Sequence, residues 1–193
     1  MYFLEYLQRN LSVSKEDVER LKPYLTEKKY EKGSYLLREG EVCEYIFYVN
    51  HGLVKMYAID EFGKEHIIQF APEAWFISDR ASIYKKEKSK YFIEALEDSS
   101  IMLISEQFIA KALEISAEYR SHNEHLLQNH ILQLQNRIHL LLCASLEQRY
   151  LSFMELYPEL TLKVPQWMIA SYLGVAPESL SRIRKELKNK GQS

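Results

Sequence analysis

A chain of 193 residues, 47% of them apolar, is long enough for one sizeable core or for a larger domain with a smaller one beside it. No apolar run approaches the roughly 18 to 20 residues of a membrane span, and the opening Met1-Tyr-Phe-Leu-Glu-Tyr lacks the basic start and long apolar stretch of a secretory leader, so the cytoplasm is the expected location and a membrane is not an expected partner. The net charge of −2 hides an asymmetry: residues 163–193 carry six lysines and arginines against two glutamates, net +4, which leaves −6 on the remainder and suits an anionic partner for the C-terminal segment.

In chain order, Ser14 followed by Asp17 reads as a helix start, with Val18, Leu21 and Leu25 sharing one face around Pro23. From about Lys28 to Ser105 the pattern turns to short β-rich stretches: Tyr35-Leu-Leu, Tyr45 to Val49, Leu53 to Ile59, His66 to Phe70, Tyr91 to Leu96 and Ile101 to Ile104. Gly33, Gly40, Gly52, Gly63 and Pro72 punctuate them at the spacing of an antiparallel sandwich or roll, a shape that encloses a ligand pocket or a filled interior. After Ser105 the turn signals vanish, and no Gly or Pro falls between Ala117 and Cys143. There Leu127, Ile131, Leu134, Ile138 and Leu141 recur at spacings of 4, 3, 4 and 3, the seam of a coiled coil that needs a second helix to bury it. A second copy of the chain is the expected partner; the alternative is that this face packs on its own β-roll. A further helix through Leu146, Tyr150, Phe153 and Met154 ends at Tyr157-Pro158.

The run from Pro165 carries the functional signal. Ile169, Ala170 and Leu173 form the inner face of a short helix, Gly174 stands where the chain turns with positive φ, Val175 plugs the core, and Pro177 opens a second helix whose Leu180, Ile183 and Leu187 face inward. That is the spacing of a helix-turn-helix, whose second helix exposes Glu178, Ser179, Ser181, Arg182 and Lys185. Glu178, Ser179 and Arg182 are the expected base readers, since an arginine matches guanine O6 and N7 and a carboxylate accepts from cytosine. Ser181, Arg184, Lys185, Lys188 and Lys190 are expected on phosphates, with Lys163, Gln166 and Ser171 beside the first helix.

Taken together the chain resembles the Crp-Fnr family of regulators, from about Lys28 to Leu187. The stretches that carry it are Lys32-Gly-Ser-Tyr-Leu-Leu-Arg-Glu-Gly-Glu, Tyr45 to Lys55, the hairpin Asp60-Glu-Phe-Gly-Lys-Glu, Arg149-Tyr150, Tyr157-Pro158, Pro165-Gln166 and Pro-Glu178-Ser-Leu-Ser-Arg182. The resemblance implies an α+β chain: an N-terminal antiparallel β-roll of the cyclic-nucleotide-binding, jelly-roll kind with its helix (1–113), a long dimerisation helix (114–143) and a C-terminal helix-turn-helix (144–193). It implies that Glu178 and Arg182 read bases.

Three departures qualify it. The family's nucleotide binders use a Gly-Glu pair and a downstream arginine to hold the ligand, whereas the matching positions here are Phe76-Ile77-Ser78-Asp79 and Ser89 beside Lys90. Ser78 lacks glycine's freedom, Asp79 is one methylene short, and Ser89 carries no charge, so tight cAMP binding is not expected. Lys188 to Ser193 stands where members continue into a two-stranded wing, which predicts that most or all of the wing is lacking. Ala176 replaces the Ser or Thr that would cap the recognition helix, a change that costs ~0.5 to 2 kcal/mol.

Cys43 and Cys143 have no partner at ligand spacing, and the histidines show no His-x-His pattern, so no metal, no cofactor and no enzyme activity is expected. The partners expected are an inverted-repeat DNA operator, a second copy of the chain, RNA polymerase and, if the roll senses one, an unidentified small-molecule effector. The alternative is a non-catalytic effector-binding or protein-interaction module that no longer reads DNA.

Overall fold

The computed structural model describes residues 2–190 except Ser12, and divides into two units, 1–126 and 127–193. The N-terminal unit begins with α1 (Phe3–Leu11) and α2 (Lys15–Leu21). Ser14 caps α2 by accepting from the Asp17 N–H at 3.1 Å, as the sequence predicts. Leu25 departs from its predicted place on that helix: Lys22–Tyr24, containing Pro23, tightens into a single 3-10 turn, and Leu25 opens the first strand.

Among the described residues, eight strands form two antiparallel four-stranded sheets. They are β1 (Leu25–Tyr30), β2 (Tyr35–Leu37), β3 (Ile46–His51), β4 (Val54–Ile59), β5 (Glu65–Ala71), β6 (Phe76–Ile77), β7 (Phe92–Ala95) and β8 (Ser99–Ile104). One sheet runs β1-β8-β3-β6 and the other β2-β7-β4-β5. Helix α3 (Arg80–Lys85) lies between β6 and β7, and α4 (Glu106–Ile115) follows β8. The β3–β4 turn requires glycine at 52, where φ is +99° and a Cβ would fall 2.2 Å from Ser99 Oγ.

Strand alternation divides the side chains of the first sheet between two cores. Phe47, Val49, Ile101 and Leu103 point inward with Val54, Met56 and Ile93 of the second sheet, filling the roll. Tyr48, Met102 and Ile104 point outward and are covered by Phe3, Tyr6 and Leu7 of α1, Leu21 of α2 and Phe108 of α4. The rings of Phe3, Tyr6, Tyr48 and Phe76 pack at centroid separations of 4.9–6.4 Å. The Tyr6 hydroxyl pairs with His122 Nε2 at 2.7 Å, and burial pushes its pKa to about 12.

Helix α5 runs from Ala117 to Cys143, within the stretch expected at 114–143, where residues 114 and 115 instead close α4, and the boundary between the units falls within α5. The C-terminal unit continues with α6 (Leu146–Leu156), α7 (Leu160–Lys163), α8 (Gln166–Leu173) and α9 (Pro177–Lys190). Ser145 and Gln148 form a reciprocal capping box at the start of α6. Tyr150, Phe153, Tyr157, Leu160, Met168, Ile169, Leu173 and Leu180 are buried. Among the described residues no helix is long and apolar enough to cross a membrane.

Candidate functional site

The helix-turn-helix consists of α8 and α9. Ala170 is fully buried, which fits a small residue where two helices approach, and Gly174 ends α8 in the left-handed region at φ +69° and ψ 37°. Leu180 is fully buried, while Ile183 and Leu187 are half-buried on the same face. Val175, predicted as a core plug, is only half-buried, because it follows the left-handed residue at the turn instead of entering a helix face. Helix α9 starts with Pro177 in its first position and has no capping side chain at Ala176, whose carbonyl accepts from the Ser179 and Leu180 N–H groups.

At 100° per residue Glu178, Arg182 and Lys185 fall on one stripe of α9, opposite Leu180 and Leu187, and all three are exposed. From Glu178 to Lys185 the stripe is about 10 Å long at 1.5 Å per residue. None of Glu178, Arg182, Lys185 and Lys188 takes part in an ion pair among the described residues. Lys188 is exposed, and Ser181 borders the stripe half-buried. Ser179 and Arg184 are also half-buried, on the two flanks nearer the inner face, so the exposed stripe is narrower than the set of residues read from the sequence. Gln166 is exposed at the start of α8 and Ser171 is half-buried within it, while Lys163 at the end of α7 pairs with Glu159 at 3.7 Å. Residues 191–193, and the side chain of Lys190, lie outside the described residues, and with them the expectation about the wing.

Of the residues expected to form a coiled-coil seam, Ile131, Leu134, Ile138 and Leu141 are 47, 45, 57 and 39% exposed, and Leu127 is half-buried. Among the described residues of the C-terminal unit, the middle of that apolar stripe stays open.

Of the roll positions read from the sequence as an effector pocket, Asp79 and Ser89 are closed on one another. Asp79 is buried and caps α3, accepting from the Ser82 N–H at 3.1 Å and from the Ser89 hydroxyl at 2.8 Å. Ser89 is buried as well, held through its backbone to Gly40 and Glu41, while the neighbouring Lys90 points to solvent. Phe76 and Ser78 are half-buried; the Phe76 ring belongs to the aromatic cluster under α1 and not to the Asp79 corner. Sequence reasoning missed the polar residues that complete the corner, Ser82 and Cys43: the Ser82 hydroxyl accepts from the Cys43 N–H at 2.8 Å and donates to the Glu87 carbonyl at 2.6 Å. It also missed Lys55, buried on β4 between Glu65 at 2.7 Å and Glu94 at 3.3 Å. No group of three or more His, Cys, Asp or Glu side chains suited to a metal occurs among the described residues.

Residues 27–116 match the family model of the cyclic nucleotide-binding domain. The chain is 23% identical over 171 residues to the cAMP-activated global transcriptional regulator CRP of Pasteurella multocida, covering 83% of this chain and 82% of that one. Among solved structures it is similar to FixK2 from Bradyrhizobium japonicum, with a TM-score of 0.72, 22% identity and 86% of each chain covered. It is also similar to a protein assigned to the Crp/Fnr family of transcriptional regulators from Eubacterium rectale, with a TM-score of 0.68, 18% identity and coverage of 96% of this chain and 87% of that one. These likenesses carry the fold, an α+β arrangement of antiparallel roll, long helix and C-terminal helices. The chain thus carries a cyclic nucleotide-binding domain at residues 27–116 and is similar in fold, over most of its length, to regulators of the Crp-Fnr kind.

Proposed function

We propose that the protein is a dimeric, sequence-specific DNA-binding transcription regulator whose roll works without a cyclic nucleotide. The observation that carries the reading is the exposed stripe of Glu178, Arg182 and Lys185, unpaired among the described residues, on the second helix of a helix-turn-helix. Arg182 supplies a two-pronged donor for guanine and Glu178 an acceptor for a cytosine amino group, each good contact discriminating by about 1 to 3 kcal/mol. Ser179 lies at the edge of this reading surface. Lys185 and Lys188, flanked by Ser181 and Arg184, meet phosphates, with Gln166 at the start of the first helix. The exposed seam pairs with that of a second copy, which sets two recognition helices on an inverted repeat with half-sites about one turn of DNA apart.

The Asp79 corner supports the second half of the reading. An anionic ligand brought there meets a buried carboxylate already bonded to the Ser82 N–H and the Ser89 hydroxyl, and finds no arginine at position 89. The roll then serves as a fixed support for the dimer or takes an effector of different chemistry, and the protein acts at promoters with RNA polymerase as its partner.

The test is selection of bound sequences from random duplex DNA at two salt concentrations, with wild type and Arg182→Ala. The expected result is an enriched palindrome that blurs in the variant and does not sharpen when cAMP is added. Weak binding without an enriched sequence, lost equally by both proteins as salt rises, refutes specific reading and leaves an interaction module.

A further inference from the structure

The last four carbonyls of an α-helix have no partner inside it. In α8 they belong to Ala170, Ser171, Tyr172 and Leu173, and all four are met. The left-handed turn at Gly174 meets the first two: the Val175 N–H donates to Ala170 O at 3.0 Å and the Gly174 N–H to Ser171 O at 3.1 Å. The second two are met from outside the motif. Arg137 of α5 donates from Nη2 to Tyr172 O at 3.2 Å, and Arg149 of α6 donates from Nη1 to Leu173 O at 2.7 Å.

The grip is more than two hydrogen bonds. The Arg137 guanidinium stacks 3.8 Å from the centre of the Tyr172 ring, which in turn packs on Phe153 and Tyr157. One helical turn beyond Arg137, Leu141 approaches so closely that a Cβ at position 174 would stand 3.3 Å from its Cδ2 and 3.9 Å from Arg149 Nη1. Two cations at the negative end of α8 are electrostatically favourable, and their donors are aimed at the turn.

We propose that Arg137 and Arg149 are positioning residues for sequence reading: they fasten the turn between α8 and α9, and so set the angle at which Glu178 and Arg182 are presented, without themselves touching DNA. This rests on the DNA-reading function above. Without them two carbonyls at the turn pass to water, and the turn is held by Gly174 and Val175 alone.

The experiment uses the full chain, with Arg137→Gln, Arg149→Gln and the corresponding lysine variants, which retain one donor and the charge. Hydrogen exchange at residues 170–176 reads the clamp without DNA. About tenfold faster exchange is expected there in the glutamine variants, with the buried helices around Phe153 and Ile169 still protected, and substantial recovery in the lysine variants. Binding to the duplex enriched by wild type should fall about tenfold, while binding to unselected duplex and its salt slope stay unchanged. A shallower salt slope would overturn the proposal by making the arginines phosphate contacts. Unchanged exchange at the turn would overturn it too, as would loss of protection throughout residues 127–190 in glutamine and lysine variants alike, which marks a merely structural role. If wild type enriches no sequence, the DNA-reading function fails, while the exchange result still decides whether the clamp holds the turn.

Discussion

The roll and the C-terminal unit treat their polar groups in opposite ways. In the roll, buried polar side chains are closed on one another: Lys55 on Glu65 and Glu94, Asp79 on Ser82 and Ser89, and Asn50 between the Phe3 N–H and Glu27. In the C-terminal unit the inward arginines are bonded to backbone, but the charges of the α9 stripe and the apolar stripe of α5 face outward, the charges without ion pairs among the described residues. A region whose polar groups are mutually satisfied is stable by itself and offers little to a ligand. A region that leaves charge and apolar surface open is built to be completed by something else.

The sharpest way to break that contrast is to open the roll. Lys55→Ala leaves Glu94 partly buried without its cation, and a loss of about 3 to 5 kcal/mol is expected in urea unfolding, whereas Lys185→Ala on the open stripe should stay within about 0.5 kcal/mol. Next in size, Ile138→Asp puts a charge into the middle of the seam. Sedimentation should show a monomer, with thermal unfolding of the separated roll little changed, and a variant that stays dimeric would remove the seam from the interface. Asp79→Ala deletes the cap of α3 and the partner of Ser89, and should cost about 0.5 to 2 kcal/mol in unfolding. Ala176→Ser supplies the missing cap of α9 and should stabilise by about 0.5 to 1 kcal/mol, with no change in which bases are read.

The smallest effect is a pH slope. Burial, and then the neighbouring His125, hold the His122 imidazole below its ordinary pKa of 6.5. The unfolded chain therefore binds the proton first, so this contribution is complete above about pH 6.5 and is lost as the pH falls toward the folded value. Denaturation at pH 7.5 and 5.5 should show a decline that His122→Gln reduces.

The parts legible in the sequence are those with local signals. The helical character of α5 shows in the apolar repeat from Leu127 to Leu141, and the helix-turn-helix follows from the spacing of Ala170, Gly174 and Leu180. Most of the longer strands announce themselves by β-branched and aromatic residues between glycine turns. What escaped depends on distant partners. The strand β1, Leu-Thr-Glu-Lys-Lys-Tyr, is polar along most of its length and is extended because it pairs with β8 from Leu25↔Ile104 to Tyr30↔Ser99. Helix α1 lacks a conventional start signal and is fixed by its ring contacts with Tyr48 and Phe76. The candidate site divides in the same way: α9 shows its exposed charged stripe by periodicity, but that Ser179 and Arg184 sit back from it, and that Arg137 and Arg149 bond the end of α8, emerges only from packing.

The Asp79–Ser89 bond also bears on redesign of the roll. Placing an arginine at position 89 alone would set a guanidinium against the buried carboxylate and bind it there as an ion pair, which tightens the corner instead of freeing it. Opening the corner to an anion therefore requires a change at position 79, at the expense of the α3 cap. The corner thus ties two properties together: freeing its carboxylate removes a helix cap from the roll.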